Sequence, residues 1–124
     1  MIQPLALLFY ENLLPGTQLV NRLQDLGYRV SVIVEADKLV SRAEQDQAMV
    51  AIIDLAAEKA DICAVITELK RSPKTGHIPV LAFAGKTNKK LQDRARTAGA
   101  DLVAVEDAVL GHLPQLLEQV LTIE

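Results

Sequence analysis

The chain has 124 residues, half of them hydrophobic, and a formal net charge of −3, which fits one domain around a single core. The acidic balance argues against nucleic acid or a polybasic membrane contact as partner, and apolar runs of at most six residues fall far short of the ~20 that span a bilayer. Met1-Ile2-Gln3-Pro4 lacks the basic start of a secretory signal, and a lone Cys63 excludes an intrachain disulfide or a thiolate metal cluster, so a cytoplasmic domain over 1–124 is expected.

With only two Phe and two Tyr, the core must be mainly aliphatic. Leu5-Ala6-Leu7-Leu8-Phe9-Tyr10 is a short continuous apolar run, the pattern of a strand buried on both faces. From Pro15 a helical stripe of Leu19, Val20, Leu23 and Leu26 follows, and Gly27 closes it. Arg29 to Val34 alternates as a strand exposed on one side does. Ala36, Leu39, Val40 and Ala43 then give a short amphipathic helix.

Ala48-Met49-Val50-Ala51-Ile52-Ile53 reads as a third buried strand, ending in Asp54. Ile62, Val65, Ile66 and Leu69 recur at helix spacing, with Cys63 on the flank of the stripe as a small hydrophobe. His77 falls in the polar connection Lys70 to His77, with no partner at ligand spacing. Pro79-Val80-Leu81-Ala82-Phe83 is a fourth strand. A basic segment, Lys86 to Lys90, leads into a helix with Leu91, Ala95 and Ala98. Leu102-Val103-Ala104-Val105 is a fifth strand ended by Glu106 and Asp107. Leu110, Leu113, Leu117 and Val120 mark a last helix, with Pro114 in its first turn and His112 at its mouth.

Strand followed by helix, five times, predicts an α/β fold: a doubly wound parallel sheet with helices on both faces. Ligands of such sheets gather at the C-terminal ends of the strands. There the chain places Tyr10-Glu11, Glu35, Asp54, Ala84-Gly85 and Glu106-Asp107, an acidic rim. Glu11 to Gly16 forms no glycine-rich phosphate loop. No Ser or Cys nucleophile has a base partner, and neither HExxH nor GxSxG occurs, so the residues carry no enzyme signature.

The order and spacing of Leu26-Gly27-Tyr28, Ala51-Ile52-Ile53-Asp54, Gly76-His77-Ile78-Pro79-Val80 and Ala98-Gly99-Ala100-Asp101 resemble the receiver domain of two-component response regulators over nearly the whole chain. The resemblance implies a flavodoxin-like three-layer sandwich with strand order 2-1-3-4-5. It also implies a phosphoacceptor position at Asp54 and signalling partners, a histidine kinase or an output protein. It further implies a contact or homodimer surface on the fourth helix, fifth strand and fifth helix, where Lys89, Lys90, Arg94 and Arg96 lie near Asp101, Glu106 and Asp107.

Several positions depart from the family pattern. The two acids that hold magnesium after the first strand are here Tyr10 and Glu11. The hydroxyl residue ending the fourth strand is Ala84, the aromatic switch of the fifth is Val103, and the lysine after the fifth is Glu106. Mg2+, if held, falls to Glu11 and Asp54, with Glu106 as a third oxygen donor; Lys59 or Lys86 is left to supply a positive charge at the rim.

An aspartyl phosphate adds up to about two negative charges. Each pair of like unit charges ~4 Å apart costs about 1 kcal/mol in water and about 4 at an effective dielectric of 20. The expectation is therefore a degenerate receiver, working through protein contacts with weak or lost phosphorylation. Two alternatives stand beside it: a receiver still phosphorylated on Asp54 in an atypical pocket, and a small metal- or ligand-binding domain using the acidic rim. Metal-free, the cluster Glu11, Asp54 and Glu106 is expected to raise the pKa of Glu11 or Glu106.

Overall fold

A computed structural model describes residues 4–10, 13–46, 48–56 and 61–122. Five strands, β1 (Leu5–Phe9), β2 (Arg29–Ile33), β3 (Val50–Asp54), β4 (Val80–Ala84) and β5 (Leu102–Val105), form one sheet in the order β2-β1-β3-β4-β5. Every pairing is parallel, from Leu5 beside Arg29 at one edge to Ala84 beside Val105 at the other. The helices are α1 (Leu13–Asp25), α2 (Leu39–Asp46), α3 (Ile62–Arg71), α4 (Lys89–Ala98), α5 (Glu106–Gly111) and α6 (Leu113–Thr122), and one 3-10 turn (Ala36–Lys38) runs into α2.

The sheet separates two apolar layers. Leu7, Phe9, Ala51, Ile53 and Ala82 pack under α2, α3 and α4, while Ala6, Leu8, Val50, Ile52, Leu81 and Phe83 pack under α1, α5 and α6. Strict alternation along each strand sends successive side chains to opposite layers. All five residues of β3 and all five of β4 are buried, because these central strands are covered on both faces. This is the α/β doubly wound three-layer sandwich, with the order expected from the sequence.

Local chemistry sets the helix ends. The Asp61 carboxylate accepts from the Ala64 N–H (3.3 Å) at the start of α3, and Asn88 Oδ1 accepts from the Leu91 N–H (3.4 Å) at the start of α4. Gly27 (φ 91°) and Gly99 (φ 114°) follow α1 and α4 in the left-handed region, which other residues enter at a steric cost.

Three expectations need correction. Met49 is 48% exposed and precedes β3; its N–H is held by the Leu5 carbonyl (2.8 Å), so the chain joins the sheet there while the side chain stays exposed at the pole where the strands begin. Leu26 lies beyond the end of α1, exposed to solvent. The last helix is two: α5 stops at Gly111, a weak helix former, and His112 (φ −131°) breaks the spiral before α6. Glu106 is accordingly the first residue of α5 rather than the end of a strand.

At the pole where the strands begin, Asp101 closes a network. Its Oδ2 accepts from Lys70 Nζ (2.8 Å) and from the Val80 N–H (2.8 Å), and Lys70 Nζ also donates to the Ile78 carbonyl (3.0 Å). Buried Thr75 donates to the Leu69 carbonyl (2.7 Å) just beyond.

Candidate functional site

Parallel strands deliver their C-terminal residues to one rim, so the sequence-predicted positions converge there by topology alone. Asp54 ends β3 and is 2% exposed. Its Oδ1 accepts from the Ala56 N–H (2.9 Å), the local turn that Asp favours after a strand. The Leu55 N–H donates to the Phe83 carbonyl (2.8 Å), which fixes the backbone carrying Asp54 to β4.

Tyr10 follows β1 with its side chain buried in the α1, α5 and α6 layer. The ring lies so close to α1 that a Cβ added at Gly16 would run into it. Glycine is required there for close approach, and the Tyr10 ring is part of the core rather than of the rim. The alternation Ala6, Leu8, Tyr10 already carried this signal, which a reading by position along the chain overlooks.

Ala84 ends β4 buried and offers no hydroxyl. Val103 in β5 packs, partly buried, against the α2–α4 layer, the side opposite Tyr10. Lys86 is exposed in the loop before α4. Glu11 and Lys59 lie outside the described residues.

Glu106 opens α5, where its charge meets the positive end of the helix dipole. Even so, its carboxyl is raised above the ordinary glutamate range, first by partial burial, then by the charges of Asp54 and Asp107. The chain thus brings Glu106 and Asp54 into electrostatic contact, as two acids facing one rim. Among the described residues, no group of three His, Cys, Asp or Glu side chains is placed to hold a metal ion. Asp54 and Glu106 are two carboxylates at that rim, the number that a Mg2+ ion takes alongside several waters.

The raised acid has a stability consequence. A carboxyl with a folded pKa above its unfolded value costs stability while ionised, and the cost is relieved as pH falls through the folded value. Glu106→Gln is therefore expected to exceed the wild type in stability at pH 7 by roughly 0.5–1 kcal/mol, the scale of a screened charge pair. Urea unfolding of both proteins as pH falls below the ordinary carboxylate range should show the gap closing; a gap that widens on acidification contradicts the sign.

Three of the seven charges expected to mark a contact or dimer face are engaged inside the chain. Arg94 Nη2 pairs with Asp61 (3.1 Å), Arg96 Nη1 with Asp93 (2.9 Å), and Asp101 with Lys70 at the far pole. Crevices lie away from the rim, among them one of about 560 Å³ beside β2, lined by Arg29, Ser31 and Asp46. Another of about 470 Å³ sits between α3 and α4, lined by Cys63, Arg71 and Arg94, and one of about 160 Å³ lies where Leu110 and Leu113 meet Arg22. Cys63 is buried, and burial pushes its thiol pKa up, as expected of a packing residue rather than a nucleophile. Among the described residues no helix is long and apolar enough to cross a membrane.

No family model and no curated protein matches the chain by sequence. Solved structures match its fold over nearly all of its length. A response regulator from Chloroflexus aurantiacus superposes with a TM-score of 0.89 at 15% identity, covering 98% of this chain and 100% of its own. The receiver domain of a Pseudomonas aeruginosa sensor histidine kinase, which has a magnesium ion coordinated in its active-site cleft, gives 0.87 at 18% identity, with coverage of 98% and 100%. A chemotaxis response regulator of Vibrio cholerae gives 0.84 at 17% identity, with coverage of 96% and 99%. Strand order, layers and these superpositions together show that the chain has the fold of response regulator receiver domains.

Proposed function

We propose that this chain is a receiver-like signal-transduction module of the two-component or phosphorelay type, acting through protein–protein contacts, with phosphorylation of Asp54 weak or lost. The observation that carries this reading is the acid pair at the rim: Glu106 faces Asp54 closely enough for the Asp54 charge to raise its pKa, where the family it resembles has a lysine. A phosphoryl group on Asp54 would add charge beside an existing anion. Ala84 brings no hydroxyl to bind it, and Tyr10 turns an aromatic ring into the core where the family has an acid.

The partner surface we assign is α4, β5 and the last helix, which the fold splits into α5 and α6, and the partner is a different signalling protein, a histidine kinase or an output protein. Lys89, Lys90 and Asp107 are exposed there, whereas Arg94 and Arg96 have partners within the chain, which weakens the case for self-pairing at that face. A metal at the rim is the competing use of Asp54, with Glu11 as its second ligand.

Intact-mass measurement after incubation with Mg2+ and a small phosphodonor tests the reading. An unchanged mass is expected. A phosphoryl adduct in the wild type that disappears in Asp54→Asn would establish a working phosphoacceptor instead.

A further inference from the structure

β2 is an edge strand, and its hydrogen-bonding groups alternate in direction. The Arg29 N–H donates inward to the Pro4 carbonyl (2.8 Å), and the Ile33 carbonyl accepts from the Tyr10 N–H (3.3 Å). In a parallel ladder this sends the groups of Arg29, Ser31 and Ile33 towards β1 and those of Val30, Val32 and Val34 outwards. The backbone stays extended to Glu35 (φ −116°, ψ 117°). Val32 is 37% and Val34 57% exposed. Edges of this kind are normally blunted by charged residues, proline or a bulge, yet the outward-directed residues are all valine, Arg29 to Val34 has no Lys, Pro or Gly, and its register with β1 is unbroken.

The segment Arg29-Val30-Ser31-Val32-Ile33-Val34-Glu35 complements itself when reversed. Antiparallel pairing about a two-fold axis at Val32 sets Val32 opposite Val32, Val30 opposite Val34, and Arg29 opposite Glu35. Each outward-directed residue then meets another outward-directed residue, which is what a hydrogen-bonded antiparallel pair requires. The exposed valines line one face of the joint, and two Arg–Glu pairs close its ends on the other. Shifting the register by two residues keeps the hydrogen bonds but loses Arg29 opposite Glu35, so charge selects one alignment. Glu35 already meets Lys38 (3.3 Å), but with both side chains more than half exposed that pair is solvent-screened and readily exchanged.

We propose that a second copy of this chain docks on the outer edge of β2, in an isologous antiparallel pairing centred on Val32 that joins the two sheets into one. The interface lies at the sheet edge opposite β5, which leaves the α4, β5 and α5 face open, so each copy can hold its own partner.

Sedimentation equilibrium over a wide protein range tests this. The wild type should show a reversible dimer. Arg29→Glu or Glu35→Arg alone should weaken association by about tenfold, two symmetric charge pairs being reversed, and the double exchange should restore it to within about threefold. Val32→Lys should also weaken it, and Lys89→Glu with Lys90→Glu should leave it unchanged. In a Cys63→Ala background, Val32→Cys should oxidise to a covalent dimer, since residues facing across such a pair lie ~5.5 Å apart at Cα, while Ser31→Cys should not. Circular dichroism confirms that each variant is folded. A wild type that stays monomeric throughout, a dimer indifferent to Arg29→Glu and Val32→Lys, or one abolished by the Lys89 and Lys90 changes would overturn the proposal.

Discussion

Phe83→Ala is expected to lower the unfolding free energy by about 3–5 kcal/mol, the usual cost of removing a buried aromatic ring from a core. Phe83 is fully buried in a central strand, between Asp54 of β3 and Ala104 of β5. Its ring joins Leu81, Val109, Leu113 and Leu117 in the layer under α1, α5 and α6. Apart from Tyr10 and Phe83 itself, the described members of that layer's buried core are aliphatic, and close-packed neighbours collapse only partly into the space left. For a domain whose whole stability is on the order of 5–15 kcal/mol, this is a large share. Phe83→Leu, which keeps much of the volume, should cost clearly less. Urea unfolding with an unchanged m-value would attribute the loss to the folded state; a Phe83→Ala loss below about 1 kcal/mol would contradict the packing described.

The second large effect is expected at Asp101. Replacing it with Ala removes the acceptor of the Val80 N–H at the first residue of β4 and leaves Lys70 Nζ with only the Ile78 carbonyl. A half-buried charged partner and a strand-initiating amide are stranded together, at a cost of about 2–3 kcal/mol. Asp101→Asn keeps an acceptor for the amide and should retain at least half of that stability. Amide exchange at Val80 provides a local readout: it should quicken in Asp101→Ala beyond what global destabilisation explains. An Asp101→Ala variant within about 0.5 kcal/mol of wild type, the range of an ordinary surface substitution, would show that the network is ornamental.

These two sites differ in how far the sequence announces them. Phe83 lies in a short run of apolar residues that reads as a buried strand, and the same logic located β1 and β3. Once five strands alternate with helices, parallel topology places Asp54 and Glu106 at one pole, so the heart of the candidate site follows from pattern and order. Asp101 was legible as a turn residue but not as the partner of Lys70, 31 residues away, because spacing along a chain does not encode which side chains meet across a fold. Arg94 and Asp61 escaped for the same reason. The division between α5 and α6 was hidden by an apolar stripe that runs through it, while the interruption rests on the backbone at Gly111 and His112. Tyr10 was misplaced for a simpler reason: its position in the chain belongs to the rim, but strand alternation points its ring into the core.

The central claim is that Asp54 keeps its place while its surroundings have been altered against phosphoryl transfer. Restoring those surroundings tests it most directly: Ala84→Ser with Glu106→Lys returns a hydroxyl and a cation to the rim. Phosphoryl uptake is measured by intact mass, with Mg2+ and the same phosphodonor, for the double variant and the wild type side by side. The account predicts an adduct on the double variant, absent when Asp54→Asn is added, and little or none on the wild type. A wild type that takes up phosphoryl on Asp54 as readily as the double variant would contradict it.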